Sequence, residues 1–140
     1  MSIPTIEAAI SSIVAGVTSI QAAYTYPVAE LGRKLPALLI LYDGFDQEPA
    51  AVTDTETAWR FEFTLYLPAD GKTLQKAWTD LKTLVPAILS AFRVNPGLNA
   101  SCYDSIIQAG EPIMHIPQEP NGQPKFVGHT FKLTARKVEG

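Results

Sequence analysis

The residues of this chain that could carry chemistry are one cysteine, two histidines and a run of carboxylates. His115 and His129 belong to two segments typical of the strands of a closing hairpin, where they would face each other. Two histidines can begin a metal site, but no third ligand stands at a suitable spacing, so two half-buried histidines are the simpler interpretation. Cys102 beside a histidine could act as a nucleophile, although a single thiol in a strand is more often a small buried hydrophobic residue.

The carboxylates concentrate between residues 43 and 57, the longest stretch without apolar periodicity, which contains no lysine and no arginine. The missing periodicity predicts a loop, and a long loop in a compact domain is often functional. Carboxylates could hold a hard cation there, but the stretch lacks the dense alternation and the glycine of a calcium loop. The alternatives are a solvated surface and an interface that orders against a partner subunit. The candidate interface residues are Asp43, Asp46, Glu48, Asp54 and Glu56.

Motifs for known enzyme chemistry do not occur in this sequence. We find no nucleophile elbow of the G-x-S-x-G type, no phosphate-binding glycine loop and no H-E-x-x-H helix. We therefore expect no catalytic residue, no metal and no cofactor. The expectation that remains is a protein that works through its surfaces and through oligomerisation.

Length and composition agree with one globular domain over residues 1–140, 46% hydrophobic and 18% charged. The net charge of −3 offers no basic field to nucleic acid or to an anionic membrane. A single cysteine excludes an internal disulfide framework and fits assembly in a reducing cytoplasm. No run approaches the roughly 20 apolar residues of a membrane span, and the first ten residues lack the basic region of a secretory signal.

The elements that must position these residues are organised around one strand and one helix. Apolar residues alternate with mostly polar ones from Trp59 to Leu67, which predicts a half-buried strand that Pro68 ends. From Leu74 to Phe92 apolar residues recur at steps of three and four, which predicts a helix with one buried stripe. Pro86 lies inside that pattern and predicts a kink or a break into two helices.

The remaining segments add a helix and several strands. The pattern predicts a helix over Ile3–Ala15 that Gly16 ends, a connector at 28–35, a turn at 117–125 and several further strands. These strands are predicted at 20–26, 37–45, 100–109, 112–116 and 126–139. Together the elements predict an α+β fold, in which a mostly antiparallel sheet packs against the N-terminal helix and one long, Pro-kinked helix.

Several short motifs occur in a definite order along the chain. They are Ala15-Gly16-Val17, Ile20 to Pro27, Leu35-Pro36-Ala37 before an apolar strand, and Trp59 to Phe63. An acidic loop, a long helix and two closing strands complete the order. This order resembles that of the tail terminator family of tailed bacteriophages, whose members are also called minor tail or tail completion proteins, and the resemblance covers essentially the whole chain.

The resemblance implies an α+β subunit of a hexameric ring without catalysis or a cofactor. Such a ring caps the head-proximal end of the tail tube, stops polymerisation of the tube protein and presents a surface to the head–tail connector protein. Viral DNA passes through its lumen without sequence readout, and the ring is part of the virion after assembly in the host cytoplasm. The alternatives are a head-completion or neck connector protein, and a small enzyme or ligand-binding domain with a pocket beneath the 43–57 loop.

Overall fold

The computed structural model describes residues 3–25, 36–49, 55–68, 74–102, 104–115 and 126–139. These residues form two helices and five strands. In chain order they are α1 (Ile3–Ala15), β1 (Ala22–Tyr24), β2 (Ala37–Pro49), β3 (Thr55–Pro68), α2 (Leu74–Arg93), β4 (Asp104–His115) and β5 (Phe126–Glu139).

The five strands form one sheet in the order β1-β2-β3-β5-β4. Its centre is the antiparallel pair of β3 and β5, which stay in register from Thr55↔Glu139 to Pro68↔Phe126. β4 pairs antiparallel with β5 on one side, and β2 pairs antiparallel with β3 on the other. β1 is short and runs parallel to the beginning of β2, with Ala22 opposite Ala37.

One face of the sheet holds the core. From Phe61 to Leu67 of β3 every second side chain is almost fully buried, whereas the intervening Glu62 is exposed. The buried stripes of both helices belong to the same hydrophobic cluster, so we name this the helix-side face and its opposite the open face. The period of two is what a sheet covered on one side requires.

The two helices bury the stripes that their spacing predicts. In α1, Ile6, Ile10 and Val14 are buried at steps of four, and the N–H of Gly16 donates to the carbonyl of Ile13 at 3.1 Å as the helix ends. In α2 the stripe includes Leu81, Leu84, Ile88 and Phe92. The ring of Phe92 lies 5.3 Å from that of Phe63, measured between centroids, and joins the helix to the centre of the sheet.

The predicted architecture was wrong, although a broad α+β assignment is compatible with the fold. The sheet dominates, with about half of the described residues in strands and about a third in helices, and it is mixed: three of its strand pairs are antiparallel and the short pair of β1 and β2 is parallel. The parallel pair of β1 and β2 is the reason. Alternation of apolar residues shows that a segment is a strand but carries no information about the direction of its neighbour.

The segment predicted to be kinked at Pro86 or broken there into two helices is one helix from Leu74 to Arg93. A proline inside a helix removes one N–H donor, and the carbonyl that loses its partner is that of Lys82, four residues earlier. Pro86 and Lys82 both lie on the exposed side of α2. Water can therefore hydrogen-bond to that carbonyl, and the helix continues.

Other boundaries moved by a few residues or were confirmed. The ranges Ile3–Ala15 and Phe126–Glu139 are those predicted. The two segments predicted on either side of Gly110 form one strand with a register shift between Ala109 and Pro112. A Cβ at Gly110 would lie 2.2 Å from Oγ1 of Thr130, so a glycine is needed where the shift brings the strands together.

Truncating Phe92 to alanine should destabilise the protein by about 3–5 kcal/mol, because the side chain is 1% exposed and leaves a cavity over Phe63. Urea unfolding followed by circular dichroism measures the loss. Val94→Ala is the matched control, since Val94 is 78% exposed and its truncation should change the free energy of unfolding by less than about 0.5 kcal/mol. Similar small losses for both variants would contradict this packing.

Candidate functional site

The acidic segment predicted to be a loop is mostly strand. Asp43, Asp46 and Glu48 lie in β2 and Glu56 lies in β3, whereas Asp54 lies outside the described residues. We name residues 42–49 of β2 together with residues 55–60 of β3 the arm. The loop prediction was wrong because carboxylates, glycine and proline have low strand propensity, while pairing with β3 holds these residues extended regardless. The structure thus brings four of the five candidate residues onto one hairpin.

A β-bulge at Gly44 lies close to the beginning of the arm. The register between β2 and β3 shifts between Tyr42 and Phe45, and Gly44 has φ +100°, a conformation that side chains other than hydrogen rarely adopt. A Cβ at Gly44 would also lie 2.8 Å from Nη2 of Arg60. Only glycine satisfies both constraints, and the bulge makes room for the guanidinium.

Arg60 fastens the two strands of the arm together on the open face. Its guanidinium forms an ion pair with the carboxylate of Asp46 and donates to the backbone carbonyl of Asp43 at 3.4 Å. Asp43 lies in the segment of β2 where the register shifts, and Asp46 follows that segment. Arg60 therefore holds the bulged segment against β3. It is the only basic residue of the arm.

Arg136 makes the second charge contact of this region. It lies directly opposite Asp104 on β4 and donates to both carboxylate oxygens, from Nε at 2.8 Å and from Nη2 at 2.5 Å. Its Nη1 lies 3.7 Å from Oε1 of Glu56. The hydrogen bonds from Arg136 lower the pKa of the Asp104 carboxyl below its ordinary value. One arginine thus joins β3, β4 and β5 across the open face.

The end of the open face that carries the arm is acidic. Glu48 lies directly opposite Glu56 in the register, and like charges in that arrangement destabilise a sheet. The carboxylates of this region outnumber its two arginines, Arg60 and Arg136. The carboxylates are those of Asp43, Asp46, Glu48, Glu56 and Asp104.

The helix-side face of the same end is aromatic. Tyr42 and Phe45 are 38% and 46% exposed, unusually much for large apolar side chains on the face that elsewhere holds the core. The ring of Trp59 lies between them, with centroids 6.4 Å from Tyr42 and 5.1 Å from Phe45. Its Nε1 is buried without a hydrogen-bond partner among the described residues. The arm therefore has two unlike surfaces, one acidic and one aromatic.

A groove within the described part of the chain lies away from the arm. It has a volume of about 1210 Å³ and lies between residues 16–21, which follow α1, and α2. Its charged lining residues are Lys76 and Asp80, and no residue of the arm lines it. This groove is therefore not the pocket expected beneath the 43–57 segment.

The histidines do not face each other. His129 lies opposite Pro112 and His115 lies opposite Phe126, so the two histidines are not cross-strand partners. Nδ1 of His129 lies 2.8 Å from the carbonyl oxygen of Thr130. Nothing is described of the His115 side chain. Among the described residues no group of three His, Cys, Asp or Glu side chains could hold a metal ion.

Cys102 lies in the turn before β4. Its thiol is partly buried, and desolvation together with the nearby Asp104 charge raises its pKa above the ordinary value. Sγ contacts the carbonyl oxygens of Asp104 at 3.4 Å and Pro96 at 3.7 Å. A thiol that stays protonated and points at carbonyls is a poor nucleophile.

Comparison with known proteins adds no family: the chain matches no protein-family model and no curated protein. Neither described helix has the length and apolar character needed to cross a membrane.

The sequence alone did not show that Arg60 and Arg136 hold this region together, or that Tyr42 and Phe45 form an aromatic surface on the arm. Alternation of Thr55, Thr57 and Trp59 could have revealed that β3 begins before Trp59. No local signal pairs Asp104 with Arg136, because they lie 32 residues apart.

Replacing Asp104 with asparagine should cost about 1 kcal/mol of stability at pH 7, a value limited by the partial exposure of both partners. Because the pKa of the Asp104 carboxyl is lowered in the folded state, the ionised carboxylate stabilises the protein at pH values above the ordinary pKa of an aspartate. That stabilisation disappears as the pH falls from about 5 towards 2.

Urea unfolding at a series of pH values measures this dependence. Glu111→Gln removes an exposed carboxylate from the same strand and is the control. A cost of Asp104→Asn that is the same at every pH would contradict the ion pair.

Replacing Glu48 with lysine should stabilise the protein by about 0.5 kcal/mol at low salt, because the new charge attracts Glu56 instead of repelling it. Glu62→Lys is the matched opposite, since Glu62 faces Lys132 and the change creates repulsion. Thermal unfolding at two salt concentrations separates the variants. Shifts of the same sign for both would show that the cross-strand partners do not decide the effect.

Proposed function

We propose that this chain is a non-enzymatic structural protein of a bacteriophage virion: a tail terminator that forms a hexameric ring at the head-proximal end of the tail tube. In this role it stops tube polymerisation and joins the tail to the head connector while DNA passes. The resemblance in the order of elements is the starting point of the proposal. The observation that carries it is the arm with its two unlike surfaces.

The aromatic surface of the arm supports assembly into a larger structure. Tyr42 and Phe45 together with Trp59 form an apolar patch at the edge of the helical cover, and exposed aromatic patches commonly mark protein interfaces. A ring needs two different complementary surfaces on every subunit, because its contacts are heterologous. The aromatic patch is suited to be one of them.

The acidic surface supports a role beside DNA. A lumen that lets DNA slide must not bind phosphate, and basic residues would add salt-dependent adhesion. The open face of the arm carries Asp43, Asp46, Glu48 and Glu56, with Arg60 held in an ion pair. Repeated around a ring, these carboxylates would repel the DNA backbone or bind basic residues of a neighbouring virion protein.

A ligand-binding domain is the alternative from a different class, and the groove beside α2 is the observation that favours it. Lys76 and Asp80 are its charged groups. A small molecule retained through purification and detected by native mass spectrometry would support that alternative.

The ring proposal predicts a particle of six chains, each of 15.2 kDa. Light scattering after gel filtration should give that mass, and negative-stain electron microscopy should show rings, either for the protein alone or after addition of the tail tube protein of the same virus. Tube elongation should stop when the protein is added. Tyr42→Ser with Phe45→Ser should abolish the rings and leave the monomer folded.

Val94→Ser is the control for general loss of surface hydrophobicity, because Val94 is exposed but lies outside the arm. A chain that stays monomeric both alone and on tubes, and does not affect tube elongation, would overturn the proposal.

A further inference from the structure

Among the described residues, only part of the outer edge of β2 is paired with another strand. β1 pairs with three residues of β2, from Ala37 to Leu39, whereas β2 continues to Pro49. Within the described ranges no strand pairs with Ile40–Pro49 on the side away from β3. Every residue from Tyr42 to Pro49 is exposed except Gly44, which is half-buried. We name Ile40–Pro49 the β2 edge.

An uncovered edge of this length can accept another strand, because its outward N–H and C=O groups lack partners in the sheet. Many proteins protect such an edge with lysines, but the β2 edge contains none. The bulge at Gly44 divides it into a part before Tyr42 and a part from Phe45 onward, and β3 stays paired with both parts. Pro49 lacks an N–H and ends the edge.

The charges of the β2 edge favour a basic strand as its binding partner. Asp43, Asp46 and Glu48 lie on it, and Glu56 lies opposite Glu48. A strand added here would place its alternate side chains beside Asp46 and Glu48 on the open face. Lysine or arginine at those positions would form cross-strand ion pairs, and Asp or Glu would be repelled.

The aromatic patch favours apolar residues at the remaining positions of an added strand. The other side chains of an added strand would point to the helix-side face, beside Tyr42 and Phe45. Apolar side chains there would cover rings that are now 38% and 46% exposed. The favoured sequence therefore alternates basic and apolar residues.

A second copy of this chain fits the β2 edge poorly. The long edge strand on the other side of the sheet is β4, which contains Asp104 and Glu111 and no lysine or arginine. Pairing β4 of one copy with the β2 edge of another would place carboxylates beside carboxylates. β1, the remaining edge strand, has three residues and no charge.

We propose that the β2 edge binds an extended segment of a different protein, alternating basic with apolar residues, by adding it as a strand to the sheet. The proposal rests on the edge, the charges and the aromatic patch, and because the ring proposed above uses the same patch, it concerns the chain before that ring contact forms. Main-chain hydrogen bonds to the edge would supply affinity, and the two faces of the arm would supply specificity.

The test uses three peptides with blocked ends: KVRFKVRT, the acidic analogue EVEFEVET, and KVRFKVRT with every second backbone nitrogen methylated. Binding is followed by tryptophan fluorescence, and hydrogen exchange of the backbone amides locates it. The basic peptide should bind and should slow exchange in β2 from Ile40 onward, without an effect on β4. The acidic peptide should not bind, and the methylated peptide should bind about tenfold more weakly because it cannot complete the hydrogen bonds.

A charge variant and its matched control complete the test. Asp43→Asn, Asp46→Asn and Glu48→Gln together should weaken binding of the basic peptide about tenfold. Glu7→Gln, Asp80→Asn and Glu111→Gln remove the same number of carboxylates elsewhere and should change the affinity by less than about twofold. Circular dichroism of both triple variants checks that they are folded.

Four outcomes would overturn the proposal. The first is no binding of the basic peptide, and the second is equal binding of the methylated one, which would indicate charge attraction without strand addition. The third is protection of β4 instead of β2. The fourth is slowed exchange in β2 that rises with protein concentration without peptide, which would assign the edge to a second copy.

Discussion

The burial of one face of the β3–β5 pair is the constraint on which the rest of this structure depends. The two strands keep one register over their whole length, and their alternate apolar side chains require a cover. Both helices lie on that side, with Ile10 of α1 and Ile88 of α2 fully buried in the same cluster. Because burying a large apolar side chain contributes about 1.5–3 kcal/mol, this face supplies most of the driving force for folding. The open face is then available for charge.

The arm follows from the same constraint, because the strands continue beyond the residues that the helices bury. β2 and β3 stay paired from Tyr42 to Pro49 and from Thr55 to Phe61. The face that continues the core remains aromatic there but is partly exposed at Tyr42 and Phe45. Exposed aromatic side chains do not help a monomer to fold. Their position on a paired strand is the basis of our proposal that this surface contacts another chain.

Charge on the open face is arranged locally. Arg60 ties the bulged part of β2 to β3, and Arg136 contacts Asp104 and Glu56 from the neighbouring strand. Each contact is partly exposed, so each contributes on the order of 1 kcal/mol or less. Their common effect is to hold a surface with surplus carboxylates in a regular strand geometry. A surface of fixed geometry and fixed charge can select an oppositely charged strand better than a disordered loop can.

Much of the fold could be predicted from the sequence because helix and strand periodicity are local. The structure confirmed the bounds of α1 and β5, the helix after residue 73 and a strand over residues 59–67. Each of these elements has an apolar pattern long enough to show its period. The candidate carboxylates were located by composition alone. The sequence could not show that they lie in strands, because aspartate, glutamate and proline disfavour strands locally while pairing with β3 outweighs that preference.

What only the tertiary structure decided are the relations between distant segments. These include the parallel direction of β1 against β2, the continuity of α2 through an exposed Pro86, and the choice of Asp104 as the partner of Arg136. Each depends on which surfaces meet after the chain has folded, and a local pattern of residue types carries no record of that meeting.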